Sequence, residues 1–460
     1  MAPAWRCFLR LASLAGALGL LGGCATLDPY NIVGRAVPPV VVAAGASDEA
    51  AKRAQREATL DLVWRTIAER YYRADLNGVD WARARERWAP LVLAAPSERD
   101  YWERLDRLTA ELADAHTRVE SPETVELRRS EQSRSLGLSL REIDGVLTVL
   151  AVHGDSDAWW AGVRPGMALV TIDGADALER WRQWAREARP TSSPQAALRL
   201  PLRALNRFAE ASPDGAALAF RRHDGSLLET RLKPAVYSAQ AKAFARRLPS
   251  GMAYLRFTAF RESLRARILE LIRAHDDAPG LILDLRGNGG GSAVMVEAIA
   301  SAFFRERALL VRTQTRSGRP VTIAGVPLIP AEYLTEGRPD AYDGPVAILI
   351  DSATASAAEA LASALQANGR ARVFGEASCG CLLAFLGYQK LPGGGELAYS
   401  EVGYTDVRGE RIEGRGIRPD EPITLTRADL RDGRDRVLEA AVAWLVTAAR
   451  SAPRFSRVFP

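Results

Sequence analysis

The sequence predicts a multidomain α/β protein, because three stretches of the chain differ in their apolar pattern. From Asp48 to about Ala113, apolar residues recur at three- and four-residue spacing, which predicts helices. Short strands and turns follow from Ser133 to about Pro234, and from Met252 onward buried strands alternate with helices. This alternation is typical of α/β architecture.

These changes of pattern also predict where the units of the chain begin and end. They give a signal peptide at 1–23, a tether at 24–47, a helical region at 48–130, a β unit at 133–235 and an α/β core at 240–448.

The N-terminus has the features of an exported lipoprotein. Arg6 and Arg10 precede an apolar run from Leu11 to Leu21, which is too short for a comfortable membrane span. The run ends in Leu-Gly-Gly-Cys, which resembles a lipobox and predicts lipidation at Cys24. We therefore expect a protein of the cell envelope, anchored in the membrane by its lipid, on the periplasmic face of the outer membrane.

Composition and charge exclude several other classes of protein. The net charge is +5, but almost all the cationic residues are arginines scattered among acids, so we expect no nucleic-acid partner. The sequence shows no metal-ligand spacing and predicts neither a metal site nor a cofactor.

A candidate nucleophile follows the apolar strand 346–350. In the stretch 351–359, Ser356 stands where this strand ends and an Ala-rich helix begins. Backbone N–H groups at a helix start favour negative charge, so a hydroxyl at this place can act as a nucleophile beside an oxyanion site. The same position also suits a simple helix cap.

A glycine turn at 287–291 follows the other apolar strand, 281–283. Glycines let the backbone approach a substrate carbonyl closely, and no Gly-Lys-Ser or Gly-Lys-Thr follows, as a phosphate loop would need. We expect the N–H of Gly290 or Gly291, together with that of Ala357, to form an oxyanion hole.

The order of these motifs resembles the tail-specific (C-terminal-processing) serine peptidases over residues 100–425. The glycine turn, the serine, Gly375-Glu376 and the glycine-rich segment 414–420 follow one another as in that family. The resemblance implies a crotonase-like α/β core that cleaves peptide bonds in polypeptide substrates. An adaptor or a second copy of the chain is a further partner that the sequence leaves open.

The β unit resembles a PDZ domain of the envelope-protease type. The resemblance rests on the Leu-Gly-Leu segment and on the Ala-Gly-Val-Arg-Pro-Gly-Met segment at 161–167. It implies that Leu136, Gly137 and Leu138 bind a peptide C-terminus by strand addition, with backbone N–H groups holding the carboxylate. A small β unit without a ligand is the alternative.

The residues at the positions expected for the general base and its partner differ from those of the serine–lysine branch of the family. In that branch a lysine lies 25 residues after the serine and a glutamine four residues later, but here the two positions hold Cys381 and Phe385. Packing, a local disulfide or a thiol pair are the open interpretations of Cys379 and Cys381.

Asp114-Ala115-His116-Thr117 resembles instead the Asp-x-His-Thr motif of the tricorn-like branch, in which histidine is the base. That resemblance implies His116 as base and Glu413, 57 residues after Ser356, as its acidic partner. An unperturbed imidazole predicts a rise in activity through roughly pH 6 to 7.

The predicted function is thus a serine endopeptidase of the bacterial envelope that cleaves unfolded or C-terminally presented peptides. The alternative is an inactive peptide-binding scaffold that keeps the peptidase fold, since the usual lysine is absent. An acyl-CoA enzyme on the same core is disfavoured because the chain is exported.

Overall fold

The computed structural model describes residues 39–40, 47–323 and 326–451. The predicted signal peptide, the lipidation site Cys24 and most of the predicted tether lie outside the described residues. Within the described ranges, no helix is both long and apolar enough to cross a membrane.

The N-terminal region is helical because short polar residues cap its amphipathic segments. Side-chain oxygens of Ser47, Asp80 and Ser97 accept the N–H groups of the first turns, within the stretch for which the sequence predicts helices. The elements are α1 (Asp48–Arg70), α2 (Trp81–Leu93), α3 (Glu98–Ala110), β1 (Arg118–Glu120) and α4 (Pro122–Arg129).

A β unit follows, in which one sheet has the strand order β3-β4-β5-β7-β8 and β3 lies at its edge. A separate ribbon pairs β2 with β9 and closes the unit. The strands are β2 (Gln132–Ser135), β3 (Leu138–Ile143), β4 (Val146–Val152), β5 (Ala168–Ile172), β6 (Ala175–Asp176), β7 (Ala216–Arg221), β8 (Leu227–Leu232) and β9 (Ala235–Ser238). The helices are α5 (Asp157–Trp160), α6 (Ala177–Arg186), α7 (Pro194–Ala197) and α8 (Leu200–Ala211).

The C-terminal core is built on a six-stranded sheet of order β10-β11-β12-β17-β18-β23. Its strands are β10 (Ala243–Arg247), β11 (Ala253–Phe257), β12 (Leu281–Asp284), β17 (Val346–Ile350), β18 (Ala371–Gly375) and β23 (Glu421–Pro422). Its helices are α9 (Arg265–Arg273), α10 (Ala293–Ala300), α11 (Ala357–Ala367), α12 (Arg427–Asp432) and α13 (Arg436–Ser451). β11, β12, β17, β18 and β23 run parallel, and β12 and β17 are buried throughout, as parallel strands covered on both faces must be.

Smaller sheets complete the core. One has the order β16-β13-β22-β19, another has β1-β21-β20, and β14 pairs with β15. Their strands are β13 (Ala308–Thr315), β14 (Val321–Ile323), β15 (Val326–Ile329), β16 (Glu332–Thr335), β19 (Leu383–Ala384), β20 (Gln389–Lys390), β21 (Glu396–Ala398) and β22 (Val402–Thr405). Since β1 belongs to the N-terminal region, its pairing with β21 joins that region to the core.

The topology determines where a site can form. β12 and β17 are neighbouring parallel strands in the register Leu281↔Val346 to Asp284↔Leu349, so their carboxyl ends lie at one edge of the sheet. The glycine turn leaves β12 there, and the chain to α11 leaves β17 there. Loops at the carboxyl ends of parallel strands are the usual place for a binding crevice. The predicted α/β multidomain class is confirmed.

Candidate active site

Ser356 occupies a strained turn between β17 and α11. Its φ of +57° and ψ of −124° lie in a region that residues other than glycine rarely adopt. Its N–H lies 3.0 Å from the carbonyl oxygen of Cys381 and 3.0 Å from Oε2 of Glu359. Such strain persists only where the surroundings impose it, and it concentrates at functional sites.

The carboxylate of Glu359 holds this turn in place. It is fully buried, and it accepts hydrogen bonds from the N–H of Ser356, Gly380 and Cys381 and from the Ser378 hydroxyl, at 2.6–3.0 Å. Burial raises the pKa of Glu359, while these four donors oppose the rise. Sequence reasoning gave Glu359 no role, although the Ser-x-x-Glu spacing of a capping box could have identified it.

The glycine turn passes directly against the nucleophile. A Cβ at Gly290 would lie 2.6 Å from Ser356 Cβ, and φ at Gly290 is +87°, so the turn requires glycine here. The Gly290 N–H donates to Asn288 Oδ1 at 2.9 Å. The N–H groups of Gly291 and Ala357 have no hydrogen-bond acceptor among the described residues. Of the two predicted glycine donors, Gly291 is therefore the one with a free amide.

His116 lies on the segment between α3 and β1, and its backbone is fixed to the core. Asp114 Oδ1 accepts the His116 N–H at 2.7 Å, while Asp114 Oδ2 accepts the hydroxyls of Thr117 and Ser400 at 2.5 and 2.6 Å. Nδ1 of His116 is buried and has no hydrogen-bond partner within the described ranges. Burial lowers the pKa of His116 to about 4, a shift that Asp114 opposes.

The loops that carry His116 and Ser356 meet in one small apolar cluster. Ala115, next to His116, packs against a cluster that contains Ala355, next to Ser356, and both cysteines. Within the described part of the chain, no hydrogen bond joins the side chains of His116 and Ser356. The structure thus brings the two predicted groups into one neighbourhood without a direct bond between them.

Glu413 is bound by the residue that follows Cys381 of this cluster. Its Oε2 accepts the Leu382 N–H at 2.7 Å, and the Ser192 hydroxyl also donates to it. Burial, with the nearby charge of Asp114, raises the pKa of Glu413 to about 8. No described hydrogen bond joins Glu413 to His116.

Ser192 links Glu413 to the segment that carries the histidine. Its Oγ accepts the Ala115 N–H at 2.9 Å, so one hydroxyl connects that backbone with the Glu413 carboxylate. Sequence reasoning missed Ser192, because nothing local marks a serine in the segment between α6 and α7 as a neighbour of the core.

Cys379 and Cys381 form a disulfide, with Cα atoms 5.2 Å apart. Of the open interpretations, the local disulfide is correct. Both residues are buried, and the Ser193 hydroxyl donates to the Cys379 carbonyl. The position of the family lysine therefore holds a crosslinked loop whose backbone contacts the nucleophile.

Two further features bear on substrate binding. An apolar pocket of about 40 Å³ opens beside Ser356 and is lined by Val296, Val311, Tyr333, Leu382 and Tyr404 among others. In the predicted peptide-binding segment, the Leu136 N–H donates to Asn206 Oδ1 at 2.8 Å and the Gly137 N–H to Ser135 Oγ at 3.2 Å.

Comparison with known proteins agrees with this architecture. Residues 251–423 match the model of peptidase family S41, and residues 52–110 match that of the tricorn protease C1 domain. The carboxyl-terminal-processing protease of Picosynechococcus sp. is 26% identical over 371 residues, covering 78% of this chain and 81% of the relative.

Two solved structures share the fold. Mature CPAF in complex with lactacystin superposes with a TM-score of 0.66 at 14% identity, over 87% of this chain and 99% of that one. The photosystem II D1 C-terminal processing protease gives a TM-score of 0.51 at 21% identity, over 86% and 98%.

The α/β core and the matching family model define a serine-type peptidase, a hydrolase of peptide bonds. Within that class, the match of residues 251–423 to peptidase family S41 and the carboxyl-terminal-processing relatives support a tail-specific S41 peptidase.

Proposed function

We propose that the protein is a serine endopeptidase of the bacterial envelope that cleaves unfolded or C-terminally presented polypeptides. The observation that carries the proposal is the geometry around Ser356. A strained serine begins a buried helix, and the free N–H groups of Gly291 and Ala357 lie beside it. This arrangement suits attack on a carbonyl whose oxygen then takes negative charge.

In the proposed reaction, Ser356 Oγ attacks the peptide carbonyl and transfers its proton to the imidazole of His116. The N–H groups of Gly291 and Ala357 stabilise the oxyanion, and His116 then returns the proton to the leaving amine. The ester formed on Ser356 is hydrolysed by water with the same base. Burial favours the neutral imidazole, which is the form that can accept a proton.

Glu413 and Ser192 support this assignment because they hold the segment that carries His116. The Glu413 carboxylate is held by the Leu382 N–H and by Ser192, which also binds the segment carrying the histidine. We assign Glu413 as the acidic partner of the base. Because burial raises its pKa to about 8, it is largely the neutral acid at pH 7 and acts by holding the histidine segment through Ser192.

The pocket beside Ser356 supports a preference for an apolar side chain. Its lining is almost entirely aliphatic and aromatic, and it adjoins the proposed oxyanion donors Gly291 and Ala357. A substrate carbonyl bound there would place the preceding side chain among these residues. Leu136, Gly137 and Leu138 remain the proposed site for the peptide C-terminus, where capture of a carboxylate requires release of the two internal hydrogen bonds.

Location and anchoring belong to the same proposal. Cys24 follows Leu-Gly-Gly and would carry the lipid that holds the protein on the periplasmic face of the outer membrane. Cys24→Ala should yield a precursor or a soluble form without the lipid mass, and an unchanged lipid mass by spectrometry would contradict the assignment.

A fluorophosphonate probe tests the chemistry directly. The wild type should become labelled and should cut an unfolded protein, whereas Ser356→Ala and His116→Ala should each abolish turnover. The double variant should be no slower than either single one, because the two groups act as a unit. Ser363→Ala, on the same helix, serves as the control that retains labelling. A wild type that neither labels nor cuts would favour the scaffold function instead.

A further inference from the structure

A cavity of about 510 Å³ lies between the β unit and the core, beside the nucleophile loop. Its walls come from β3, α8 and the loops after β12 and β17. Most of its surface is apolar, contributed by Leu140, Leu150, Leu198, Leu202, Ile350 and Val437 among others.

Two arginines line this cavity, Arg199 half-buried and Arg203 exposed, and opposing charges act on them only from beyond ion-pair distance: Asp351 and Glu359 on Arg199, and Asp106 on Arg203. Arg199 caps α8 and Arg203 lies one turn further along the same face. The Arg199 guanidinium lies 3.3 Å from Cys379 Sγ. Within the described ranges, neither arginine has a carboxylate at ion-pair distance.

The other charged groups of the cavity wall already have partners. Asp351 accepts the N–H groups of Gly287 and Ala353 at 3.0 and 2.9 Å. The ion pairs are Arg141 with Glu376 at 2.5 Å, Arg286 with Asp435 at 2.8 Å and Arg436 with Asp429 at 3.8 Å. The positive charge of Arg199 and Arg203 is therefore the least compensated charge in the wall.

The surroundings of Arg203 add positive charge. Arg189 lies nearby, but it is paired with Asp106 at 2.7 Å. A site that combines apolar walls with unpaired guanidinium groups favours a ligand that supplies carboxylates.

The arginines lie along a path from the predicted peptide-binding segment to the nucleophile. At one end of the path, Asn206 on the same helix face holds the Leu136 N–H. At the other end, Arg199 touches the disulfide, whose Cys381 carbonyl accepts the Ser356 N–H. β3 is an edge strand, so an extended peptide can pair with it in the cavity.

We propose that Arg199 and Arg203 select polypeptide substrates that carry acidic side chains just before their C-terminus. This rests on the proposed function and adds a substrate preference to it. Measured along the axis of α8, with a rise of about 1.5 Å per residue, Arg203 lies about 4.5 Å and Arg199 about 10.5 Å from Asn206. An extended peptide advances about 3.3 Å per residue. If its C-terminal residue binds beside Asn206, Arg203 faces the side chain about one residue before it and Arg199 the side chain about three residues before it.

The test uses the full chain with Ser356→Ala, which binds without turnover. Three otherwise identical peptides with free C-termini carry Glu, Gln or Lys at the two positions, and their dissociation constants are measured by fluorescence anisotropy at low salt. The Glu peptide should bind about tenfold or more tightly than the Gln peptide, and the Lys peptide more weakly than both. Added salt should narrow the difference.

Substitution of the arginines identifies the groups responsible. Arg199→Gln with Arg203→Gln should abolish the difference between the Glu and Gln peptides. Arg207→Gln should preserve it, because Arg207 lies one turn beyond Arg203, does not line the cavity and is paired with Glu103. Arg203→Glu should reverse the preference toward the Lys peptide, a gain that a misfolded protein cannot show.

Equal affinities for the Glu and Gln peptides would overturn the proposal, as would a preference that persists in the double Gln variant. The experiments distinguish a failure of this substrate preference from a failure of the proposed peptidase function. A wild type that ignores the fluorophosphonate yet prefers the Glu peptide would refute the chemistry alone, whereas one that labels and cuts without this preference would refute the selectivity alone.

Discussion

At the scale of single residues, the contact between Gly290 and Ser356 leaves no room for a side chain. A Cβ at Gly290 would lie 2.6 Å from Ser356 Cβ and 2.7 Å from the Ala355 carbonyl oxygen, which is a backbone atom and cannot easily move away. Gly290→Ala should therefore displace the nucleophile and slow fluorophosphonate labelling by about a hundredfold.

Gly289→Ala is the matched control, because a Cβ there has no neighbour within 4 Å. It should label at nearly the wild-type rate. If the two alanine variants reacted equally fast, the close approach at Gly290 would have no bearing on the nucleophile.

The pH dependence of labelling is also decided by one residue. A base must be unprotonated, and the depressed pKa of His116, about 4, keeps the imidazole neutral from there upward. A histidine with an ordinary pKa, as the sequence predicts, would make the labelling rate fall below pH 6 to 7. We now expect labelling to remain nearly constant from pH 7 to about 5 and to fall toward pH 4. A midpoint near 6.5 would show a solvated imidazole.

At the scale of elements, the crosslinked loop 379–381 supports the turn at the start of α11. The Cys381 carbonyl accepts the Ser356 N–H, and the N–H groups of Gly380 and Cys381 bind Glu359. Reduction of the disulfide frees this loop from one constraint. We expect the reduced protein to label more slowly than the oxidised protein.

The measurement compares labelling rates with and without a phosphine reductant, with thiol content measured in parallel. The double variant Cys379→Ala, Cys381→Ala is the control, and reductant should leave its rate unchanged. Equal rates for fully reduced and oxidised wild type would show that the backbone bonds suffice without the crosslink.

At the scale of the whole molecule, Asp114 joins the N-terminal region to the core. The carboxylate is buried and receives hydrogen bonds from the His116 N–H, the Thr117 hydroxyl and the Ser400 hydroxyl. Asp114→Ala leaves these donors unsatisfied and should lower the free energy of unfolding by about 3 kcal/mol. The labelling rate should fall as well, because the histidine segment loses its attachment.

Urea unfolding with labelling in the folded baseline measures both effects. Asp80→Ala removes an exposed helix cap and should cost about 1 kcal/mol without changing the rate. A stable, fully active Asp114→Ala protein would contradict the role of this attachment.

The sequence predicted the order of the units and the buried strands because these depend on local pattern. It also predicted Ser356, His116 and Glu413 as site residues, and the structure brings the segments that carry them close to the two cysteines. It did not identify Ser192 or the arginine pair of α8, because their roles depend on contacts between segments about 80 to 180 residues apart. The lowered pKa of His116 was equally out of reach, since it arises from burial in the folded chain.

The hydrogen bonds that hold Glu359 and Glu413 bear on how such a site can change during evolution. Around position 381 these carboxylates are bound by backbone N–H groups of Gly380, Cys381 and Leu382. Backbone groups stay in place when a side chain is exchanged, so a substitution at 381 need not dismantle the nucleophile. A lineage could thus lose the lysine at this position and keep a working serine, provided that a base from another segment had already taken over.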